Sequence, residues 1–142
     1  MPNTQYKRKL SLKQVQTRLR SLTTRAKKGD VSAQCELAAF YATDEDFGLK
    51  DEAKAVQWYT KAAESGDAEA QYNLGLMIVI GEGTEKDLKK GIRWMEQAVA
   101  NGYELSAHVL SIIYREGMYG IKPNRAKAAS WNKKAGSFKD KV

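Results

Sequence analysis

Residues 66–101 read GDAEAQYNLGLMIVIGEGTEKDLKKGIRWMEQAVAN, and this stretch sets the reading of the whole chain. Its opening pair, Gly66-Asp67, recurs at Gly29-Asp30, and Ala70-Gln71 recurs at Ala33-Gln34. The same register holds Leu37, Leu74 and Leu110, then Asp51, Asp87 and Asn124, then Lys54, Lys90 and Lys127. Trp58, Trp94 and Trp131 stand 36 and 37 residues apart, and Gly29, Gly66 and Gly102 stand 37 and 36 apart. So many unlike residue types sharing one register define an internal repeat. The chain divides into repeats at 29–65, 66–101 and 102–136. A basic segment, 1–28, precedes them and a tail, 137–142, follows, all within one domain.

Each repeat reads as two helices. Asp30 and Asp67 stand where an N-cap belongs, just after a glycine able to end the preceding helix in a left-handed conformation. Ala70, Leu74 and Ile78 then fall on one helical face. Gly75 interrupts that helix at a cost of about 1 kcal/mol relative to alanine, which predicts close approach of another helix. A loop follows, with Gly81 and Gly83 in repeat two and Gly117 and Gly120 in repeat three. Asp51, Asp87 or Asn124 caps the second helix, which carries the tryptophan and the pair Ala62-Ala63, Ala98-Val99 or Ala135-Gly136. Residues 12–26 place Leu12, Val15, Leu19, Leu22 and Ala26 at helical spacing and in register with later second helices. They predict a lone second-type helix that caps repeat one. The predicted helices are 11–28, 30–42, 51–64, 67–80, 87–100, 104–116 and 124–136.

Composition narrows the function classes. With 42% hydrophobic and 29% charged residues in 142, the chain suits a folded domain. No apolar run reaches the roughly eighteen residues of a membrane-spanning helix. A single cysteine, Cys35, excludes an internal disulfide framework and a cysteine-rich zinc site. The formal charge of +7 is concentrated at one end: residues 1–30 hold nine bases against Asp30, and residues 31–142 hold fifteen bases against sixteen acids. The apolar residues of 10–22 are broken up by polar ones, so they do not form a secretory leader. They match an amphipathic presequence better, but the helical cap accounts for them and the chain reads as cytoplasmic.

The stretch 68–77, with Gly81-Glu-Gly83, Asp87, Lys90, Trp94 and Ala98, closely resembles the Sel-1-like repeat, a tetratricopeptide-type design. Residues 51–63 do so as well, and the resemblance spans about 29–136. It implies an all-α, right-handed α/α superhelix of about three repeats. Gly91 departs from the pattern where Ala55 and Ala128 keep it, as do Ser106 and Ser111 where repeat two has Ala70 and Gly75. The loop Asp44-Glu45-Asp46 replaces Gly-x-Gly and predicts a different loop shape in repeat one.

The resemblance also implies an adaptor that holds other proteins through a concave groove. Small bacterial immunity or regulatory proteins that block a toxin or enzyme are the alternative within the family. Aligned to that design, Tyr72, Asn73, Leu76, Val79 and Ile80 face the groove from repeat two, and Leu105, His108, Val109 and Ile112 from repeat three. Tyr72, Asn73, Leu76, Ile80, Val109 and Ile112 are the candidate partner-binding residues. Their apolar character on a face that meets water marks an interaction site.

Catalysis finds no support. The chain has no phosphate loop, no paired metal ligands, no serine–lysine motif and no His-centred triad, and it calls for no cofactor. His108 has no second ligand at metal spacing, and Cys35 has no activating histidine. The tryptophans recur in every repeat, as structure demands; Trp94 is expected to be buried between repeats two and three. The basic helix, with Arg18, Arg20, Arg25, Lys27 and Lys28, leaves three readings: a solvated cap, a contact with nucleic acid or an anionic membrane, or a dock for an acidic protein. No aromatic residue interleaves these bases, so base stacking there is unsupported. No second cap follows repeat three. Residues 124–142, with Trp131 and Phe138, are therefore expected to expose apolar surface and form a weak homodimer or take a partner, unless residues 136–142 fold back over it.

Overall fold

The computed structural model describes residues 10–139. It contains seven α-helices and, among the described residues, no strand. They are α1 (Leu12–Lys27), α2 (Val31–Thr43), α3 (Glu52–Glu64), α4 (Ala68–Ile80), α5 (Leu88–Ala100), α6 (Glu104–Glu116) and α7 (Arg125–Gly136). Every helix end lies within one residue of its predicted position. The caps explain that agreement. Asp30, Asp51, Asp67, Asp87 and Asn124 each accept a hydrogen bond from the backbone N–H three residues on, at 2.8–3.0 Å. Ser11 and Gln14 form a reciprocal capping box at the start of α1. Tyr103 stands where Asp30 and Asp67 stand, and α6 accordingly has no side-chain cap.

Each helix packs chiefly on its neighbours in sequence, which makes a solenoid of helix pairs. Leu22 and Ala26 of α1 bury against Ala33 and Leu37 of α2, so α1 seals the first repeat as predicted. Within repeat two the helices meet at a pair of glycines, with Val79 and Met95 packed around the contact. A Cβ added to Gly75 would lie 2.7 Å from the Gly91 carbonyl oxygen, and one added to Gly91 would lie 2.7 Å from the Gly75 oxygen. Gly75 therefore does what its position in the helix predicted.

The acidic loop of repeat one takes the different shape expected of it. Gly81 and Gly117 end α4 and α6 in the left-handed conformation, whereas Asp44 ends α2 with extended backbone. The buried Asp44 carboxylate accepts a 2.7 Å bond from the Leu49 N–H.

Two expectations need correction. Trp94 is half-buried, and it packs against the core of repeats one and two rather than between repeats two and three. The fully buried residue is its neighbour Met95, at 0% exposure. Trp58 and Trp131 are likewise half-buried. In repeats one and two the side chain next to the indole, Tyr59 or Met95, is the buried one.

The C-terminal edge is also not the apolar surface that was expected. Trp131 and Phe138 are half-buried against the core of repeat three. The positions that carry Val56, Tyr59 and Ala63, or Ile92, Met95 and Val99, hold Ala129, Asn132 and Gly136 on α7, and all three are exposed. This edge is small and polar by sequence. Residues 140–142 of the tail lie outside the described residues.

Candidate functional site

The helices form two rows. One row is α2, α4 and α6, which a tetratricopeptide-type design places on the inner side, and the other is α1, α3, α5 and α7, the outer row. On α4 the inner side presents Glu69, Tyr72, Asn73, Leu76 and Ile80; on α6 it presents Leu105, His108, Val109 and Ile112. Ile80 is 38% exposed, Ile112 40% and Leu105 48%. Tyr72, Asn73, Leu76 and Val109 are half-buried. Tyr72 and Val109 pack against the same core cluster, and the Tyr72 ring leans on Tyr103 with centroids 5.3 Å apart. Val79, expected in the groove, is buried and belongs to the core between α4 and α5. Repeat one offers Cys35, Glu36, Ala39 and Thr43 at the corresponding places, so the large apolar side chains gather on repeats two and three.

The position shared by Cys35, Tyr72 and His108 has three different surroundings. Burial pushes the Cys35 thiol up to about 12, with Asp67 and Glu69 adding to the effect. Such a thiol is almost wholly protonated at neutral pH and is a poor nucleophile. Burial, with the neighbouring Tyr103 and Tyr119 adding to it, also raises the Tyr72 hydroxyl. His108 Nε2 lies 3.2 Å from Glu104 Oε1. The sequence reading overlooked this pair, although an i, i+4 spacing on one helix predicts it. Among the described residues no three His, Cys, Asp or Glu side chains are grouped as a metal site.

The basic residues of α1 divide into two sets. Arg18 pairs with Glu36, and Arg25 pairs with Asp30 at 2.7 Å, so two of them tie the cap to repeat one. Arg20, Lys27 and Lys28 are exposed. An apolar crevice of about 290 Å3 lies between α1 and α2, lined by Leu10, Val15, Leu19, Ala39 and Phe40 with the Arg18–Glu36 pair alongside. The periodicity of α1 gave its helical face, but nothing in it marked the opening beside Leu10.

Charge is sorted by row, which a count along the chain conceals. The inner helices α2, α4 and α6 hold Arg115 against Glu36, Glu69, Glu104 and Glu116. The outer helices hold fourteen bases against Glu52, Glu64 and Glu96.

Residues 31–67, 68–103 and 105–137 each match the Sel1 repeat. The chain belongs to the Sel1 repeat family. Among solved structures it resembles a Sel1 repeat protein from Oxalobacter formigenes, with TM-score 0.69 and 33% identity over 82% of this chain and 46% of that one. It also resembles a protective antigen of uropathogenic Escherichia coli strains, with TM-score 0.73 and 32% identity over 84% of this chain and 25% of that one. Cysteine rich protein B of Helicobacter pylori gives TM-score 0.62 and 26% identity over 68% and 71%. Among curated proteins, 80 residues are 35% identical to a chitin synthase regulator of Saccharomyces cerevisiae, covering 56% of this chain and 12% of the regulator. An F-box protein of Arabidopsis thaliana is 33% identical over 64 residues, 45% of this chain and 18% of that protein. This Sel1 repeat chain thus spans less than a fifth of the length of either curated relative. Sel1 repeat proteins generally mediate protein–protein interactions and are generally non-catalytic scaffolds. Among the described residues no helix is long and apolar enough to cross a membrane.

Proposed function

We propose that this chain is an adaptor or regulator that takes a segment of a partner protein on its inner face. The observation that carries this reading is the exposure of Ile80, Leu105 and Ile112 on the inner row beside half-buried Tyr72, Leu76 and Val109. Large apolar side chains gathered on a water-facing concave side mark an interaction surface. The partner segment brings apolar anchors for these positions and a base for Glu69. The regulator among the curated relatives supports an adaptor or regulator over an inhibitor.

Tyr72 leans on Tyr103 and the core, so its removal would perturb folding as well as binding. The cleaner test places Asp at Ile80 and Ile112, both exposed. Affinity capture from the native host with mass spectrometry should recover a partner with the wild type. Ile80→Asp/Ile112→Asp, with unchanged helicity and melting, should lose it. A well-folded double variant that recovers the same partner equally well would move the binding surface elsewhere.

A further inference from the structure

The three repeats differ at two lysine contacts on the outer row. In repeat one, Lys61 lies over the Trp58 ring at 4.8 Å and Lys54 over Tyr41 at 5.2 Å. In repeat three, Lys134 lies over Trp131 at 5.3 Å and Lys127 over Tyr114 at 5.0 Å. Repeat two has neither contact. Gln97 stands where Lys61 and Lys134 stand, so no cation covers Trp94 among the described residues. Ile78 stands where Tyr41 and Tyr114 stand, so Lys90 has no ring to lie on. Arg93, where the other repeats have Gln57 and Ser130, is an added base. Lys90 and Arg93 are exposed and form no ion pair among the described residues.

These four residues enclose a crevice of about 240 Å3 lined by Lys90, Arg93, Trp94 and Gln97. Arg93 also borders the next crevice, of about 410 Å3, where Lys89 on α5 and Lys127 on α7 outnumber the one acid in its lining, Glu96. A half-buried indole free of lysine, an amide beside it and a line of bases that form no ion pair among the described residues suit a planar base attached to a phosphodiester chain. The indole offers a stacking surface, Gln97 offers a donor and an acceptor to a base edge, and the cations track phosphates.

We propose that the outer face of repeat two binds single-stranded nucleic acid, with one base on Trp94 and the backbone running past Lys90 and Arg93 toward Lys89 and Lys127. A polymer fits better than a free nucleotide because the attraction is spread along the row: α3, α5 and α7 together hold nine bases against Glu52, Glu64 and Glu96, and these act on a chain of phosphates. The crevice itself has no enclosed set of donors to hold one phosphate. This surface is separate from the inner face and from α1, and it adds an activity to the partner-binding reading.

The test follows the anisotropy of a short fluorescent oligodeoxythymidine at low salt, with circular dichroism as the folding control. The wild type should bind, with affinity falling steeply as salt rises. Gln97→Lys is the decisive variant, because it supplies the lysine that covers the other two tryptophans. It should weaken binding by about tenfold, the loss of one stacked base, although it adds a positive charge. Lys90→Glu/Arg93→Glu, at exposed positions, should weaken binding by at least about tenfold as two phosphate contacts become repulsive. Equal or tighter binding by Gln97→Lys would overturn the stacking site, since a merely electrostatic surface gains from the extra charge. Absence of oligonucleotide binding by the wild type would overturn the proposal. So would thymidine monophosphate competing as well per base as the oligomer, or capture by phosphatidylserine vesicles in its place.

Discussion

In repeat two the helix pair is closed by two bare glycines, Gly75 and Gly91. In repeat three the same two positions hold Ser111 and Ala128, and the Ser111 hydroxyl donates a 2.9 Å hydrogen bond to the Ala128 carbonyl. One register thus supports two contact chemistries. The glycine contact brings α4 and α5 backbone to backbone and presses Val79 and Met95 into the space around it. The contact between α6 and α7 instead carries a side chain on each helix and is bridged by the Ser111 hydroxyl. Repeats that look interchangeable along the chain are not interchangeable as packing units.

The largest expected break in this comparison is at Met95. It is fully buried in repeat two, whereas its counterpart Asn132 is exposed. Met95→Ala should cost about 3 kcal/mol in chemical denaturation. Asn132→Ala should change stability by less than about 0.5 kcal/mol. Equal effects would mean that the register does not carry the core as described. Next is Gly91→Ala, which copies the alanine of the other two repeats into a place where its Cβ meets Val79 Cγ2 at 2.5 Å and the Gly75 oxygen at 2.7 Å. It should cost about 2 kcal/mol, because backbone cannot yield as a flexible side chain does. A neutral outcome would show that α4 and α5 can part at no expense.

Ser111→Ala sharpens the other side. It removes the hydroxyl and leaves a carbonyl that keeps its place in the α7 ladder, for a loss of about 1 kcal/mol. The smallest effect is a gain. Gln71 donates to the Ala63 carbonyl at 3.1 Å and accepts from the Asn101 amide at 2.9 Å. Gln34 donates likewise to Ala26, but its buried Oε1 has no partner among the described residues, because Ser65 stands at the Asn101 position and bonds to Lys61 instead. Ser65→Asn should supply the missing donor and stabilise the chain by about 1 kcal/mol. A thermal midpoint a few degrees higher would show it, and an unchanged or lower one would mean the amide does not reach Gln34.

The helix positions were legible because each cap is a local event. Asp or Asn three residues before the N–H that it accepts from can be read without knowing any contact between helices. Gly75 was legible for a related reason, since a glycine inside a helix signals its own cost. The burial of tryptophan was misread because recurrence shows that a residue is structural without showing which way it points. Trp94 and Met95 are adjacent, and only the angle at which α5 meets its neighbours sends one to the edge and the other inside. The inner-face residues Ile80 and Ile112 followed from alignment, while Val79 turned inward because the Gly75–Gly91 contact draws α5 onto it. The sorting of charge was present in the composition but hidden by counting it along the chain instead of by helix row. The crevice at Trp94 was hidden as well: it depends on what Gln97 and Ile78 are not.

The small and polar outer edge of α7 bears on how such a chain can grow. A duplicated repeat docked there would meet Ala129, Asn132 and Gly136 instead of the valine or isoleucine, tyrosine or methionine, and alanine or valine that receive the next helix at the two junctions between repeats. It would gain little burial. A copy spliced in after α5 would find Ile92, Met95 and Val99 already shaped to accept it. Lengthening this molecule, by evolution or by an engineer, is therefore easier from the middle than from the edge.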